Sequence, residues 1–276
     1  MITGMQRTPR ARVGRPRTRS SEAEVDGPVR ALDRGLAILI ALGDARPRTL
    51  TEIGDAVGLP YSTVHRLLAT LAGRGFVEQV TSSGRYRVGV RAFEVGASFV
   101  GGGLTEAAHE PMAALRSALD ETVNLAVRDG DAAVYLHQVE GQRKVRMFTR
   151  VGARVPLHCT GVGKALLAWE PDDVVRTLVS EIPKERHTET TITETRALLA
   201  DLAATAERGH ALDMEEYEAG VRCVAVPVRG PSGEVIGALS VSAPTSRFDD
   251  DRLAHVARSL GDCATEASRR TGWTPP

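Results

Sequence analysis

Two groups of side chains in this chain carry the donors, acceptors and charges that recognition needs. The first lies along 61–71, where Val64, Leu67, Leu68 and Leu71 recur at i, i+3, i+4 and i+7. That spacing predicts a helix which buries one stripe and turns Tyr61, Ser62, Thr63, His65, Arg66 and Thr70 outward. Hydroxyl, imidazole and guanidinium groups in one outward array are the donors and acceptors that read base edges and hold phosphates. The second group is split along the chain: His158-Cys159-Thr160-Gly161-Val162-Gly163-Lys164, then Asp213, Cys223, Ser240 and Ser242. A glycine-rich turn opening a helix offers backbone N–H groups to an anion, and a carboxylate would fit there. Ser240 and Ser242 fall on one face of a strand by its period of two, giving two hydroxyls to one small polar ligand, with Cys223 and Asp213 on neighbouring strand-like segments.

The elements around the first group support a DNA-reading role. Leu50, Ile53 and Val57 mark a shorter helix, broken from the next by Gly58-Leu59-Pro60, and two such helices at a steep angle seat the second in a major groove. An ordinary αα-hairpin satisfies the same spacing. The stretch downstream favours DNA: 76–80 and 85–88 alternate around Thr81-Ser82-Ser83-Gly84 in the manner of a β-hairpin, a wing. Arg85 and Arg87 share a face of it and could carry charge to the phosphate backbone, a solvated face being the plainer alternative. Upstream, 29–42 predicts a supporting helix with Leu32, Leu36, Leu39 and Leu42 on or near one face.

The second group sits in a mixed region. Helices are predicted over 105–119, 160–169, 172–181, 193–207 and 249–270, and strands over 123–127, 132–138, 145–148, 210–214, 221–228 and 235–242. This is an α+β domain, a sheet covered by helices, over 104–275. A linker helix over 91–103, ending in Gly101-Gly102-Gly103, joins it to a DNA-binding domain over 29–90.

Composition narrows the function classes. The 276 residues carry no net charge, yet residues 1–100 hold 15 Lys and Arg against 9 Asp and Glu, leaving 20 against 26 for the remainder. The basic end is therefore the polyanion-binding end. Residues 1–28 carry Arg7, Arg10, Arg12, Arg15, Arg17 and Arg19 without apolar periodicity and read as a disordered basic tail. Within it Gly14-Arg15-Pro16-Arg17 resembles an AT-hook core, a solvated tail or a later start at Met5 being the alternatives. No apolar run suits a membrane span or a secretion signal, so a cytoplasmic protein is expected, with no membrane partner. Three widely spaced cysteines without a C-x-x-C pair argue against disulfides and structural zinc, and neither a metal nor a cofactor is expected. Gly163-Lys164 is no phosphate loop, since His158 and Ala165 stand where glycine and a hydroxyl residue are needed. Without a Gly-x-Ser-x-Gly elbow or a His-x-x-x-His pair, catalysis by Cys159 or Cys223 with His158 and Asp213 is not expected.

Over 29–272 the chain resembles the IclR-type transcriptional regulators. The resemblance rests on Ala31-Leu32-Asp33-Arg34-Gly35-Leu36, Gly58-Leu59-Pro60-Tyr61-Ser62-Thr63-Val64-His65-Arg66 and Gly84-Arg85-Tyr86-Arg87-Val88-Gly89, then on Leu157-His158-Cys159-Thr160-Gly161-Val162-Gly163-Lys164-Ala165, Gly220-Val221-Arg222-Cys223 and Ala238-Leu239-Ser240-Val241-Ser242. It implies a winged helix-turn-helix joined to a GAF-like effector-binding domain in a homodimer, often a dimer of dimers. In such a regulator a small organic acid changes how the DNA-binding domains sit on double-stranded operator DNA, here as a repressor of a catabolic operon. Carried over by position, the effector contacts are Gly161, Val162, Asp213, Cys223, Ser240 and Ser242, although the family often has alanine where Val162 stands, which leaves the pocket's size open. An enzyme on a GAF-like scaffold and an architectural DNA-binding protein are the rival readings.

Overall fold

The computed structural model describes residues 29–44, 46–97, 103–143 and 149–275. The basic segment 1–28 with its AT-hook-like core, the expected strand at 145–148 and the junction at 98–102 lie outside these residues. The chain divides near residue 100 into two compact units.

The first unit orders α1 (Arg30–Leu42), α2 (Leu50–Val57), α3 (Tyr61–Gly73), β1 (Val77–Gln79), β2 (Tyr86–Val88) and α4 (Val90–Ala97). A capping box starts α2: the Thr49 hydroxyl accepts from Glu52 N–H at 3.2 Å, and the Glu52 carboxylate accepts from Thr49 N–H at 2.6 Å. Gly58 ends it at φ +64°, a backbone conformation that costs other residues strain. Ile38, Leu42, Ile53, Val64, Leu68 and Val77 form the core, each such side chain contributing about 1.5–3 kcal/mol by leaving water.

The sheet of the wing is antiparallel, Val77 facing Val88 and Glu78 facing Arg87. A backbone pair between Arg48 and Tyr86, at 2.9 and 2.7 Å, adds a short third edge. In α1 the structure corrects the expected stripe. Gly35, Ile38 and Leu42 are the buried positions, while Leu32 and Leu36 stay 62% and 49% exposed. Ile38 and Gly35 share the Leu42 side, which leaves a second apolar face uncovered by the described residues. The linker helix corresponds to α4, Val90–Ala97, and the rest of the expected linker up to residue 102 lies outside the described residues.

The second unit runs α5 (Leu104–Leu119), β3 (Thr122–Asp129), β4 (Ala132–Val139), β5 (Arg154–Pro156), α6 (Gly161–Leu167), α7 (Asp172–Glu181), α8 (Thr195–Arg208), β6 (Ala211–Met214), β7 (Val221–Arg229), β8 (Val235–Pro244) and α9 (Asp250–Arg270). The six strands among its described residues form one antiparallel sheet in the order β5-β4-β3-β8-β7-β6, so the α+β expectation holds. Alternation divides the sheet's side chains between two layers. Val123, Leu125, Val224, Val226, Val228, Leu239 and Val241 pack with α5 and α9 in one core. The opposite face is built of small and polar residues, and it packs with α6, α7 and α8. Helix α8 begins at Thr195 instead of 193, since the Thr193 hydroxyl accepts from Arg186 at 3.2 Å and is not the cap.

Candidate DNA interface and effector site

Helix α3 presents its polar residues as the periodicity predicts. Val64 and Leu68 are buried, Leu67 and Leu71 half-buried, and Tyr61, Ser62, His65, Arg66 and Thr70 exposed. At 100° per residue, Ser62, Arg66 and Ala69 stand opposite the buried stripe and form the centre of the exposed face. Thr63 and Thr70 lie to one side, bordering a groove shared with α1 that Arg66 also lines. Tyr61 is partly committed elsewhere. Its ring lies so near Gly54 of α2 that a Cβ there would meet it at 2.9 Å, and its hydroxyl donates to Asp55 at 3.4 Å. Tyr61 therefore braces α2 against α3.

The wing arginines are engaged within the unit. Arg85 donates to the Glu52 carboxylate and to the Pro47 carbonyl, both at 3.0 Å, and Arg87 donates to Glu78 across the hairpin. These pairs are half-exposed, and such pairs stabilise by only about 0.2–1 kcal/mol, so a DNA phosphate can replace either carboxylate at small cost.

Residues expected to contact an effector come together on the polar sheet face. Ser240 faces Asn124 on β3 and Ala225 on β7, Ser242 faces Thr122 and Cys223, and Cys223 faces Asp213. All are buried. The small residues Ala126, Ala225 and Ala238 let α6 approach closely. A Cβ on Gly161 would meet Cys223 Sγ at 2.8 Å, and one on Gly163 would meet the Leu157 backbone at 2.5 Å. The glycines thus serve packing. The start of α6 is also less open to an anion than expected, because the Thr160 hydroxyl accepts from Gly163 N–H at 3.1 Å. Val162 belongs to the apolar cluster that includes Leu157 and Leu166.

Burial sets the electrostatics. It pushes the Asp213 carboxyl up to about 7, against the pull of the Glu216 N–H that donates to it at 2.8 Å. Burial thus keeps the protonated form within reach near neutral pH, where it can donate to a carboxylate. Burial likewise drives the Cys223 thiol up to about 12. Beneath α6, Lys164 is wholly buried and pairs with Glu216 at 2.6 Å and Asp201 at 3.0 Å. Burial opposes its charge, but the two carboxylates outweigh it and hold the ammonium protonated.

Asn124, Tyr135 and the partners of Lys164 are not found by sequence patterning. Among the described residues Asn124 Nδ2 and Ser240 Oγ are buried without a nitrogen or oxygen hydrogen-bond partner, directly across the β3–β8 pair from each other, with the Cys223 thiol beside Ser240. The one signal for Asn124 is an amide inside Val-Asn-Leu-Ala-Val, where an apolar residue would continue the strand. Tyr135 reaches the same face through its pairing with Ala126.

A winged helix-turn-helix joined to a second unit with a buried polar patch defines a DNA-binding transcriptional regulator with an effector-type domain. The domain family described as Bacterial transcriptional regulator IclR C-terminal matches residues 98–269, and the IclR helix-turn-helix domain matches residues 31–81. The chain belongs to the IclR family of transcriptional regulators. It is 40% identical over 258 residues to the HTH-type transcriptional regulator BhcR of Paracoccus denitrificans, covering 92% of each chain. To KdgR of Escherichia coli it is 39% identical, covering 86% of this chain and 90% of that one. The solved structure of an IclR homolog complexed with 4-hydroxybenzoate, from Microbacterium hydrocarbonoxydans, superposes with a TM-score of 0.77 at 27% identity, covering 87% of this chain and 98% of that chain. BhcR and KdgR are both named as HTH-type transcriptional regulators. Among the described residues no helix is long and apolar enough to cross a membrane.

Proposed function

We propose that this chain is a cytoplasmic repressor of a catabolic operon, released from or seated on its operator by a small organic acid bound in the second unit. The observation that carries the reading is the buried polar patch of Asp213, Cys223, Ser240, Ser242 and Asn124, two of whose polar atoms have no nitrogen or oxygen partner among the described residues. An unsatisfied buried donor costs about 1–3 kcal/mol, and a ligand oxygen bound there removes that cost. A protonated Asp213 adds a donor to a carboxylate. The solved relative complexed with 4-hydroxybenzoate supports an acid of this kind.

On DNA, Ser62, His65 and Arg66 enter the major groove, Thr63 and Thr70 border it, and Arg85 and Arg87 exchange their carboxylates for phosphates. A homodimer, or a pair of them, places two such helices on a palindromic operator. The exposed apolar residues of α1 (Val29, Leu32, Leu36, Ile40) and of α4 (Val90, Phe93, Val95) support self-association through the first unit. The ligand acts by its different affinity for the operator-bound and released arrangements, with the α4 linker as the joint.

The test is a thermal-shift screen of aromatic and short aliphatic carboxylates, followed by operator binding with and without each hit. The double variant Ser240→Ala, Ser242→Ala should keep operator affinity while losing the response to acid. A normal response in that variant would place the effector elsewhere.

A further inference from the structure

The second unit holds a group of side chains that the polar sheet face does not use. His158 and Cys159 precede α6, and His187 stands on the loop between α7 and α8. One ring nitrogen of each histidine and the Cys159 sulfur lie within 4.8 Å of one another. We infer that His158, Cys159 and His187 form a binding site for a divalent late first-row transition metal of the zinc class, with water in the fourth position. Sequence patterning does not reveal it, because His187 is 28 residues from Cys159 and the spacing is unlike that of known metal motifs.

Three observations support the site independently of the cluster itself. His158 is 1% exposed, and its two nitrogens are differently placed. Nε2 lies 2.9 Å from the Glu185 carbonyl, whereas Nδ1 is buried without a partner among the described residues. When Nε2–H donates to that carbonyl, Nδ1 carries an unused lone pair, and metal-bound histidines are held by just such a donated bond. The His187 backbone is also fixed in place. Its N–H donates to the Thr191 hydroxyl at 3.0 Å, and that buried hydroxyl donates to the Glu216 carbonyl at 2.6 Å. Finally, the two histidines line a surface cavity of about 300 Å³ together with Arg154, Pro156 and Pro183, which provides a way in for an ion.

The chemistry suits a borderline-soft cation. Zinc binds imidazole nitrogen at about 2.0–2.1 Å and thiolate sulfur at about 2.3 Å, which puts tetrahedral ligand atoms roughly 3.5 Å apart. The exposed His187 ring supplies the remaining approach by rotating. On binding, the Cys159 S–H bond breaks, its proton goes to solvent and the S–metal bond forms, with no change of oxidation state. Lys164, a wholly buried cation whose charge reaches His158, is already neutralised by Glu216 and Asp201.

Cobalt is the probe. The full chain, stripped with chelator and kept reduced, is titrated with Co²⁺ and then with Zn²⁺. One equivalent of Co²⁺ should produce tetrahedral d–d absorption and a thiolate-to-cobalt charge-transfer band, both erased by Zn²⁺. Cys159→Ser should abolish the charge-transfer band. His187→Ala, whose ring is exposed and whose fold is not at risk, should weaken binding by at least the roughly 10- to 100-fold that losing an outer-shell partner costs. Cys263→Ser, altered on α9 in the other core, should keep the full spectrum. Absence of the band in the parent protein, or unchanged affinity in His187→Ala, overturns the assignment. Neither readout depends on DNA or on an organic acid.

Discussion

Replacing Lys164 with methionine should cost the second unit about 3–5 kcal/mol, the usual penalty for removing one partner of a buried ion pair. Glu216 justifies the full range. Its side chain is buried, and among the described residues one oxygen has no partner and the other would keep only the Met214 N–H, at 3.5 Å. Asp201 is partly exposed and keeps Arg208 at 3.7 Å, so it adds little. The assay is urea unfolding followed by tryptophan fluorescence, since both tryptophans, Trp169 and Trp273, lie in the second unit and report on it alone. With a urea slope of about 2 kcal/mol per molar, the midpoint should fall by about 1.5–2.5 M. The loss should depend on pH in a defined direction. An unpartnered, buried Glu216 has its folded pKa above its ordinary value of 4.5, so stability present below that value is lost as pH rises through the folded pKa. The variant should therefore be worse at pH 8 than at pH 5. Lys164→Met with Glu216→Leu should recover most of the loss. A single-variant cost below about 1 kcal/mol, or a double variant no better than the single one, would show that the buried pair does not govern stability here.

Arg66→Ala should lower operator affinity by about 1–3 kcal/mol if it reads a base, and relax preference at one base pair. Arg87→Ala should weaken all sequences alike and reduce the salt slope by about one; competitive binding at two salt concentrations separates the two effects. Asp213 is raised from 3.8 to about 7 by burial, so its contribution to stability is full below about 3.8 and lost as pH rises through about 7. Asp213→Asn should flatten that decline in melting temperature between pH 5 and 8, and parallel curves for parent and variant would show that Asp213 is not the titrating group.

Much of the first unit is legible from local rules. The break at Gly58-Leu59-Pro60 and the i, i+3, i+4, i+7 stripe of α3 need only helix period and turn chemistry, and the structure reproduces both. Leu32 and Leu36 depart from expectation because α1 carries apolar residues around much of its girth, and periodicity alone does not say which stripe meets α2 and α3. In the second unit the shared face of Ser240 and Ser242 follows from the strand period. Their neighbour Asn124 does not, since it is set by the β3–β8 register, a pairing across more than a hundred residues. The same holds for Lys164 with Glu216 and for His158 with His187. Long-range partners leave no periodic trace, and burial of a charged or imidazole group is visible only once the chain has closed around it.

Glu52 takes part in two structures at once, the cap that starts α2 and the ion pair that holds Arg85 at the root of the wing. Off DNA the reading head and its flanking hairpin are therefore joined at a common carboxylate, and the Arg48–Tyr86 backbone pair, which exchange of Arg85 onto a phosphate leaves in place, is the lasting fastening. A hairpin tied in this way does not swing to follow a wider or narrower groove. Variation in operator shape must be met by tilting the whole first unit on the duplex, so sequence steps beyond the directly read bases should be selected for how readily they bend toward a rigid body.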